Sequence, residues 1–288
     1  MNKNLISQLV VSICALLLIA TVTFAWFAIS NTADAGFVAQ VGDLESSFEF
    51  AAVENDKLVD ASGVSTLDMK DVIPGQKFYF VMKVATTGST DGKISIMLND
   101  IKSYNVTGTN NETIYNLNED YTEKEYEKIQ YAFSYSITGA YWVPMNEQLD
   151  KEVDQSNPIS LVKDTWREFS DDEKTSYYPT YDKDANDVDL GYSRFNKEET
   201  KDGTLINQDD YILMKNVIVK GANATDEDKT AEDHNAFVVI FEIDFLQNAV
   251  LPSFVKKPVD FDLDNSNVYE TQLFSISNIT IITSEIED

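Results

Sequence analysis

The sequence predicts an all-β protein: a jelly-roll-like antiparallel β-sandwich with a few short helices and long acidic loops, preceded by an apolar N-terminal helix. Apolar and polar residues alternate over several short stretches, which is the period of half-buried strands. Gly, Pro, Asn and Asp cluster between these stretches, where turns are expected. With 288 residues, 43% of them hydrophobic, the chain is long and apolar enough to bury a core.

The apolar N-terminal segment favours export. Leu9–Val22 is almost wholly aliphatic, and no charged residue follows Lys3 until Asp34. A short basic start, an apolar stretch and small residues before the cut are typical of a secretory signal peptide. We therefore expect residues 1–25 to be a signal peptide whose cleavage site is formed by Thr23, Ala25 and Trp26.

Other interpretations use the same residues. An A-x-A spacing ends at Ala35, so cleavage between Ala35 and Gly36 is the alternative to cleavage after Ala25. Alternatively, Leu5–Ile29 is long enough to span a bilayer, which predicts a single-pass anchor with an extracellular domain and membrane contact only through residues 1–29. A buried core helix is a third interpretation, but the segment is too uniformly apolar to be amphipathic.

Beyond residue 25 we expect an extended N-terminal segment, residues 26–37, and a single β-sandwich domain, residues 38–288. Alternation predicts half-buried strands at Leu44–Phe50, Ile129–Ile137 and Phe237–Phe245. Continuous apolar runs predict strands covered on both faces at Phe78–Val84, Ile94–Leu98 and Tyr211–Val219.

The connections and the last strand carry further signals. Thr87–Gly92 is rich in turn residues and short enough to predict a hairpin. Leu273–Ile282 changes the parity of its apolar residues near Ser277 and Asn278, so we expect a bulge or a bend there.

Helices are expected to be few. The S/T-x-x-E spacing of Thr122 and Glu125 predicts a capped helix over Thr122–Lys128. A second helical turn is expected to begin at Thr165, with Trp166 and Phe169 on its buried side.

Two acidic insertions, near residues 170–207 and 221–235, interrupt the strand pattern and are candidate contact surfaces. In the first, oxygen-bearing side chains alternate as they do in calcium loops, and the candidate ligands are Asp182, Asp184, Asn186, Asp187 and Asp189. Asp260–Asn265 has a similar pattern. Neither stretch has the glycine or the final glutamate of an EF-hand, and solvated acidic loops are the alternative interpretation.

Composition argues against several classes of protein. A net charge of −27 repels phosphate backbones and anionic lipids, so no nucleic-acid binding is expected. The sole histidine, His234, has no second histidine with which to form a zinc-protease motif, and we expect it to be solvated. The sole cysteine, Cys14, lies in the apolar segment, and no nucleophile or nucleotide motif is present. The chain is therefore predicted not to be an enzyme and to need no cofactor beyond the calcium considered above.

Several short motifs occur in an order that resembles the TasA/camelysin family of Gram-positive bacteria. These motifs are Thr23–Phe27, Asp34–Phe37, Gly42–Ser46 and Val72–Gln76 leading into Phe78–Phe80. The resemblance covers residues 9–100 well and residues 122–137 loosely. It becomes specific through the order and spacing of the motifs.

The resemblance implies a secreted protein of the extracellular matrix or cell surface of a bacterium, a jelly-roll subunit of biofilm-matrix fibres. Its signal peptide would be removed by a signal peptidase. Subunits of this family polymerise with themselves, head to tail, by donor-strand complementation, and other matrix or cell-surface components would be further partners. The donor would be residues 26–35, a strand that begins at Trp26, with Phe27 and Ile29 as its pocket-filling side chains. The alternative is a membrane-anchored surface module that binds or adheres through acidic, calcium-binding loops.

Overall fold

The computed structural model describes residues 38–41, 44–62, 66–70, 72–107, 114–116, 129–150, 152–184, 186–195, 211–222, 229–246 and 272–286. Within these residues, no helix is long and apolar enough to cross a membrane.

Strands make up most of the described chain. In chain order they are β1 Val38–Val41, β2 Ser46–Glu54, β3 Lys57–Asp60, β4 Leu67–Lys70, β5 Lys77–Thr86, β6 Gly92–Thr107, β7 Ile114–Asn116, β8 Phe133–Val143, β9 Arg167–Glu168, β10 Ser193–Arg194, β11 Tyr211–Val219, β12 Ala236–Phe245 and β13 Gln272–Glu285. One α-helix, α1, spans Asp171–Tyr177 among the described residues, and single 3₁₀ turns cover Ile129–Ala132, Pro158–Leu161 and Ala231–Asp233.

The strands form two sheets. The first sheet has the order β1-β13-β6-β11, with β4 also paired to β13 and β7 to β6. The second sheet has the order β10-β8-β12-β5-β2-β3, with β9 also paired to β8. The pairs are antiparallel except for β1, which runs parallel to β13 with Val38 opposite Ile279. The predicted all-β, jelly-roll-like sandwich is confirmed, and the parallel edge strand is an addition to it.

The core lies between the two sheets. Phe80 of β5 stacks on Phe241 of β12 with ring centroids 5.2 Å apart, and both rings are fully buried. Phe133 of the second sheet stacks on Phe274 of the first at 4.2 Å, which joins the two layers directly. Burying one such ring is worth roughly 2–3 kcal/mol, so these contacts dominate the stability of the sandwich.

The outer face of the second sheet is also covered. Val238 and Ile240 of β12 point away from the first sheet and are fully buried. Leu161 and Trp166, from the segment between β8 and α1, pack against this face. The second sheet therefore has apolar neighbours on both faces, as the continuous apolar run Phe78–Val84 predicts for β5.

The same prediction, of strands covered on both faces, is wrong for Ile94–Leu98 and Tyr211–Val219 of the first sheet. Buried and partly exposed side chains alternate over Ile94–Leu98, and Ile218 is 41% exposed, so these strands are covered on one face only.

Thr87–Gly92 does not form the predicted hairpin. β5 is already paired on its two edges, with β2 and with β12, so it has no free edge for the next strand. The chain instead crosses from the second sheet to the first, where β6 begins at Gly92. This crossing is held by Ala222, whose N–H donates to the carbonyl of Gly88 at 2.8 Å.

The predicted strand Ile129–Ile137 is correct only in part. Its first four residues form a 3₁₀ turn, and β8 begins at Phe133 and continues to Val143. Ile129 and Tyr131 are nevertheless buried. The alternation of apolar and polar residues therefore predicted correctly which side chains are buried, but not that the backbone is extended.

The parity change in β13 is confirmed, but β13 has no bulge relative to β6. Phe274 and Ile276 face the core before the change, and Ile279 and Ile281 face it afterwards. The register against β6 is the same on both sides of Ser277, because the described part of β6 changes parity at the same level. Because both strands change parity at the same level, their hydrogen-bonded register is preserved. A bend shared by both strands preserves the register, whereas a bulge in one strand would shift it.

The predicted helical turn at Thr165 is wrong in position. Trp166 and Phe169 are buried as expected, but β9 lies between them, and the helix begins only after Ser170. Ser170 and Glu173 form a capping box there, which is a stronger start signal than the apolar spacing around Thr165. The other predicted helix, Thr122–Lys128, lies outside the described residues.

Candidate functional site

The edge of the second sheet is incomplete along half of one strand. β2 pairs with β5 over Ser46–Ala52, but it pairs with β3 only over Ala51–Glu54. In the described part of the chain, Ser46–Glu49 therefore has a partner strand on one side and none on the other.

The direction of the backbone groups on this edge follows from Phe50. Its N–H donates to Oγ of Ser62 at 3.2 Å and its carbonyl accepts from the N–H of Ala61 at 2.9 Å, so both point away from β5. Backbone groups alternate between the two edges of a strand. The N–H and carbonyl groups of Ser46 and Phe48 therefore also point away from β5. β3 does not extend far enough to pair with them.

Two other strands with open edges, β8 and β11, are covered or distorted in the described structure. On β8, the N–H of Ile137 donates to the hydroxyl of Tyr181 at 3.1 Å. The carbonyl of Ala140 accepts from the N–H of Phe169 at 3.0 Å. β11 shifts register twice against β6, and Asn216 in its middle has φ +50°. Bulges and covering loops discourage strand addition, so the half-paired part of β2 is better suited to it than the edges of β8 and β11.

A groove of about 350 Å³ lies beside this edge. Its lining consists of Glu49, Phe50, Ala51, Leu58, Asp60, Ser62 and Leu149. At the start of the same strand, Oγ of Ser46 is buried and has no hydrogen-bond partner. The edge thus offers outward backbone groups beside a groove lined by apolar and polar side chains, an arrangement that suits an extended peptide.

Sequence reasoning missed β3, the strand that leaves this edge incomplete. β2 and β3 are joined by Asn55 and Asp56, which have φ +50° and +59°, and Glu54 pairs directly with Lys57. Asn and Asp tolerate positive φ, and two-residue turns of this kind join hairpin strands. Asn55-Asp56 was therefore the sequence signal that could have revealed the hairpin. No local signal could have shown that β3 ends early.

The candidate calcium loop is a small hairpin. Lys183 and Asp189 form an antiparallel bridge. One carboxylate oxygen of Asp184 accepts from the N–H groups of Asn186 and Val188, at 2.8 and 2.9 Å. These are Asx-turn contacts, in which aspartate shapes its own backbone.

The remaining carboxylates of the hairpin have partners of their own. Asp182 accepts from the backbone N–H of Arg194 at 2.9 Å, Asp187 pairs with Lys183 at 2.9 Å, and Asp189 accepts from Gly191 at 2.7 Å. Among the described residues, no group of three or more Asp, Glu, His or Cys side chains is placed to hold a metal ion. The alternating aspartates thus act in turn formation here, and the Asp260–Asn265 pattern lies outside the described residues.

His234 is not the solvated side chain that the sequence predicts. Its ring stacks on the buried ring of Trp142, with centroids 4.3 Å apart and an angle of 12° between the planes. Its Nε2 lies 2.6 Å from a terminal nitrogen of Arg167. Because a guanidinium can only donate, this nitrogen of His234 must accept, and the ring is neutral with its proton on Nδ1. Burial and the charge of Arg167 lower the pKa of His234 accordingly.

Glu173 completes this cluster. Its carboxylate accepts from Nε1 of Trp142 at 2.9 Å, from Arg167 at 3.0 Å and from the N–H of Ser170 at 2.7 Å. Burial raises the pKa of Glu173, but these hydrogen bonds outweigh it and bring the pKa to about 2. The four side chains tie α1 and the 229–235 segment to β8. We interpret the cluster as structural, since the Glu173 carboxylate, the indole N–H of Trp142 and the terminal nitrogens of Arg167 are all bound within it. Nε of Arg167 is buried without a hydrogen-bond partner among the described residues.

The predicted processing and donor residues lie outside the described residues. They are Thr23, Ala25, Trp26, Phe27, Ile29, Ala35 and Gly36. The structure therefore locates a candidate receiving edge but not the segment that the sequence proposes as donor.

A scan against protein-family models finds no match for this chain, and a search of curated proteins finds none either. The resemblance to the TasA/camelysin family therefore rests on the ordered sequence motifs alone.

Proposed function

We propose that the protein is a secreted structural subunit of extracellular matrix fibres, related to the TasA/camelysin family and assembled by donor-strand complementation. The observation that carries this proposal is the half-paired strand β2 beside a groove that apolar side chains line in part. A strand supplied by another copy would satisfy the outward backbone groups of Ser46 and Phe48.

The sequence supports the proposal from the donor side. Residues 26–35 come directly before the first described strand and contain no charge before Asp34. A contact between the start of one copy and an edge of the next is heterologous, and such contacts build open filaments unless the rotation between copies closes a ring. The role is mechanical, and no catalytic step is part of the proposal.

Electron microscopy of the mature chain tests this function. A chain that begins at Trp26 should form filaments, and the same chain without residues 26–35 should stay monomeric. The deletion variant should keep the melting temperature of the parent monomer, because every described strand remains in it. Filaments of unchanged length and number after the deletion would contradict assembly through this segment.

A membrane-anchored surface module is the second candidate, favoured by the length of the uncharged run Leu5–Ile29. Intact-mass measurement of the protein from its native host separates the two. A start at Trp26 or Gly36, left by signal peptidase, supports the secreted subunit. Retention of residues 1–25 in the membrane fraction supports the anchored module.

A further inference from the structure

We infer that the acceptor site is the outer edge of β2 at Ser46–Glu49 together with its groove, and that its occupant is residues 26–35 of a second copy. This inference rests on the proposed function. Beyond that function, it specifies which described sheet edge receives the donor strand and which side chains of the two copies are in contact there.

Backbone geometry allows this edge to accept a strand. An added strand would lie in line with β3, next to Ser62, and would pair with the outward groups of Ser46 and Phe48. Residues on β2 alternate in direction: Phe48 and Phe50 face the core between the sheets, whereas Ala51 faces the outer layer. The occupant would therefore place alternate side chains against Phe48 and in the groove.

Charge restricts what can occupy the site. Glu49 and Asp60 place two carboxylates in the lining of the groove, and the whole chain carries −27. An acidic strand would be repelled, so the part of the occupant that lies beside these carboxylates must be neutral or basic. Residues 4–33 contain no charged residue. The part of this segment that remains after signal-peptide removal begins at Trp26.

The apolar residues of the segment match the two faces of the site. Phe27 and Ile29 are two positions apart, so they lie on one face of an extended strand, and Trp26 and Ala28 lie on the other. We assign Phe27 and Ile29 to the core side beside Phe48. The half-buried ring of Phe48 then gains an apolar neighbour on the side where the described sheet ends.

The connection between β1 and β2 favours a second copy over the chain's own segment. β1 is paired to β13 in the first sheet, and four residues lead from Val41 to Ser46 in the second. Residues 26–35 join β1 at its other end, through Val38. To reach the edge of β2 in the same copy, they would have to reverse direction and pass back along the whole of β1.

Photo-crosslinking locates the acceptor. The mature chain would carry p-benzoylphenylalanine in place of Phe27, and isotope-labelled and unlabelled copies would be mixed before irradiation. Mass spectrometry should find adducts between copies, confined to residues 46–50, because Phe27 is assigned to the core side of the added strand and not to the groove. The same group placed at Tyr192, in the acidic hairpin, serves as the control and should give no adduct at these positions.

The other crosslinking outcomes overturn the inference in different ways. Adducts between copies at β11 or β1, in a sample that forms filaments, would reject the β2 edge but leave the fibre proposal intact. Adducts within one copy would reject the second-copy occupant. Absence of both filaments and adducts would reject the proposed function and this inference with it.

A complementation test uses two variants, each the control of the other. Ser46→Pro removes one outward N–H from the acceptor edge and keeps the donor segment, whereas deletion of residues 26–35 keeps the acceptor edge. Neither should self-associate, but their mixture should form a one-to-one dimer, measured by light scattering. Filaments formed by Ser46→Pro alone would overturn the assignment. If this variant does not fold, the crosslinking result decides.

Discussion

At the scale of single residues, Glu173 carries the strongest network in the described structure. Replacing it with Gln leaves Arg167 and the indole N–H of Trp142 without a carboxylate. Loss of hydrogen bonds to a charged group costs about 2 kcal/mol or more. We expect Glu173→Gln to lower the melting temperature at pH 7 by roughly 5 °C. Calorimetry measures this, with Glu168→Gln, at an exposed neighbour, as the control.

The same residue makes a pH prediction. The pKa of Glu173 falls from 4.5 to about 2 on folding, so the unfolded chain binds the extra proton between these values. Its contribution to stability is full above pH 4.5 and is lost as the pH falls through about 2. The difference in melting temperature between the parent and Glu173→Gln should therefore shrink over this range. A difference that is constant with pH would contradict the assignment of a charged, hydrogen-bonded carboxylate.

His234 should also make stability depend on pH, but at higher pH values than Glu173 does. Its pKa is lowered on folding, first by burial and then by the charge of Arg167, although Glu173, Glu232 and Asp233 oppose this. The folded state therefore prefers neutral His234, and stability falls as the pH drops below its ordinary value of 6.5. His234→Asn, which suits the observed φ of +57°, should lose this dependence.

The measurement for His234 is a pair of melts. The parent should be more stable than His234→Asn at neutral pH, and its advantage should decrease as the solution becomes mildly acidic. Protonation would place a second cation 2.6 Å from Arg167 and remove the acceptor at Nε2. An advantage that grows in acid would show that His234 is charged in the folded state.

His234 also shows what a sequence can reveal about one residue. Its neighbours Glu232 and Asp233 are acidic, which favoured a solvated loop. The stacking partner Trp142 and the donor Arg167 are distant in sequence, so no local pattern announces them. Pairing between distant residues is a property of the fold, and it decided the environment of this side chain.

At the scale of elements, the crossing between the sheets depends on one glycine. A Cβ on Gly221 would overlap the backbone of Ser89, and the two segments are joined by hydrogen bonds on either side of this contact. Since neither backbone can move without breaking these bonds, Gly221→Ala should cost about 1–3 kcal/mol. Chemical denaturation measures it. Gly191→Asn, at an open position with φ +72°, is the control and should change stability little.

The acidic hairpin around Asp184 tests the calcium hypothesis. Its carboxylates already accept hydrogen bonds from their own turn, so a cation would have to displace them. We expect millimolar calcium to leave the melting temperature unchanged, because a ligand that binds the folded state would raise it. Asp184→Ala should increase proteolytic cleavage within residues 182–194 whether or not calcium is present. A calcium-dependent rise in the parent that Asp184→Ala lacks would restore the site.

Elements differ in how far sequence can predict them. Tyr211–Val219 and Phe237–Phe245 were predicted almost to the residue, because their apolar patterns and their turns agree. Thr87–Gly92 has equally clear turn chemistry but joins two sheets. Turn residues specify that a chain reverses or bends, whereas the choice of partner strand depends on edges already occupied by β2 and β12. The pairing of β3 also depends on distant parts of the fold. In the described structure it leaves Ser46–Glu49 of β2 without a partner strand on the outer edge.

At the scale of the whole molecule, the acidic charge opposes any self-association. Removing residues 1–25 takes away Lys3 and no acid, so the net charge of −27 becomes −28 and two mature copies repel each other. A backbone-mediated contact at one edge is short-ranged and depends little on salt, whereas the repulsion falls as the Debye length shrinks from about 30 Å at 0.01 M salt to about 8 Å at 0.15 M.

This contrast predicts how filament growth depends on salt. The growth rate of the mature chain should rise steeply with sodium chloride and then level off once the repulsion is screened, and calcium should act no more strongly than magnesium at equal ionic strength. Light scattering measures the rate, and the deletion of residues 26–35 gives the baseline. Growth that slows with salt would mean that attraction between opposite charges joins the subunits, which would contradict a neutral strand seated on the edge of β2.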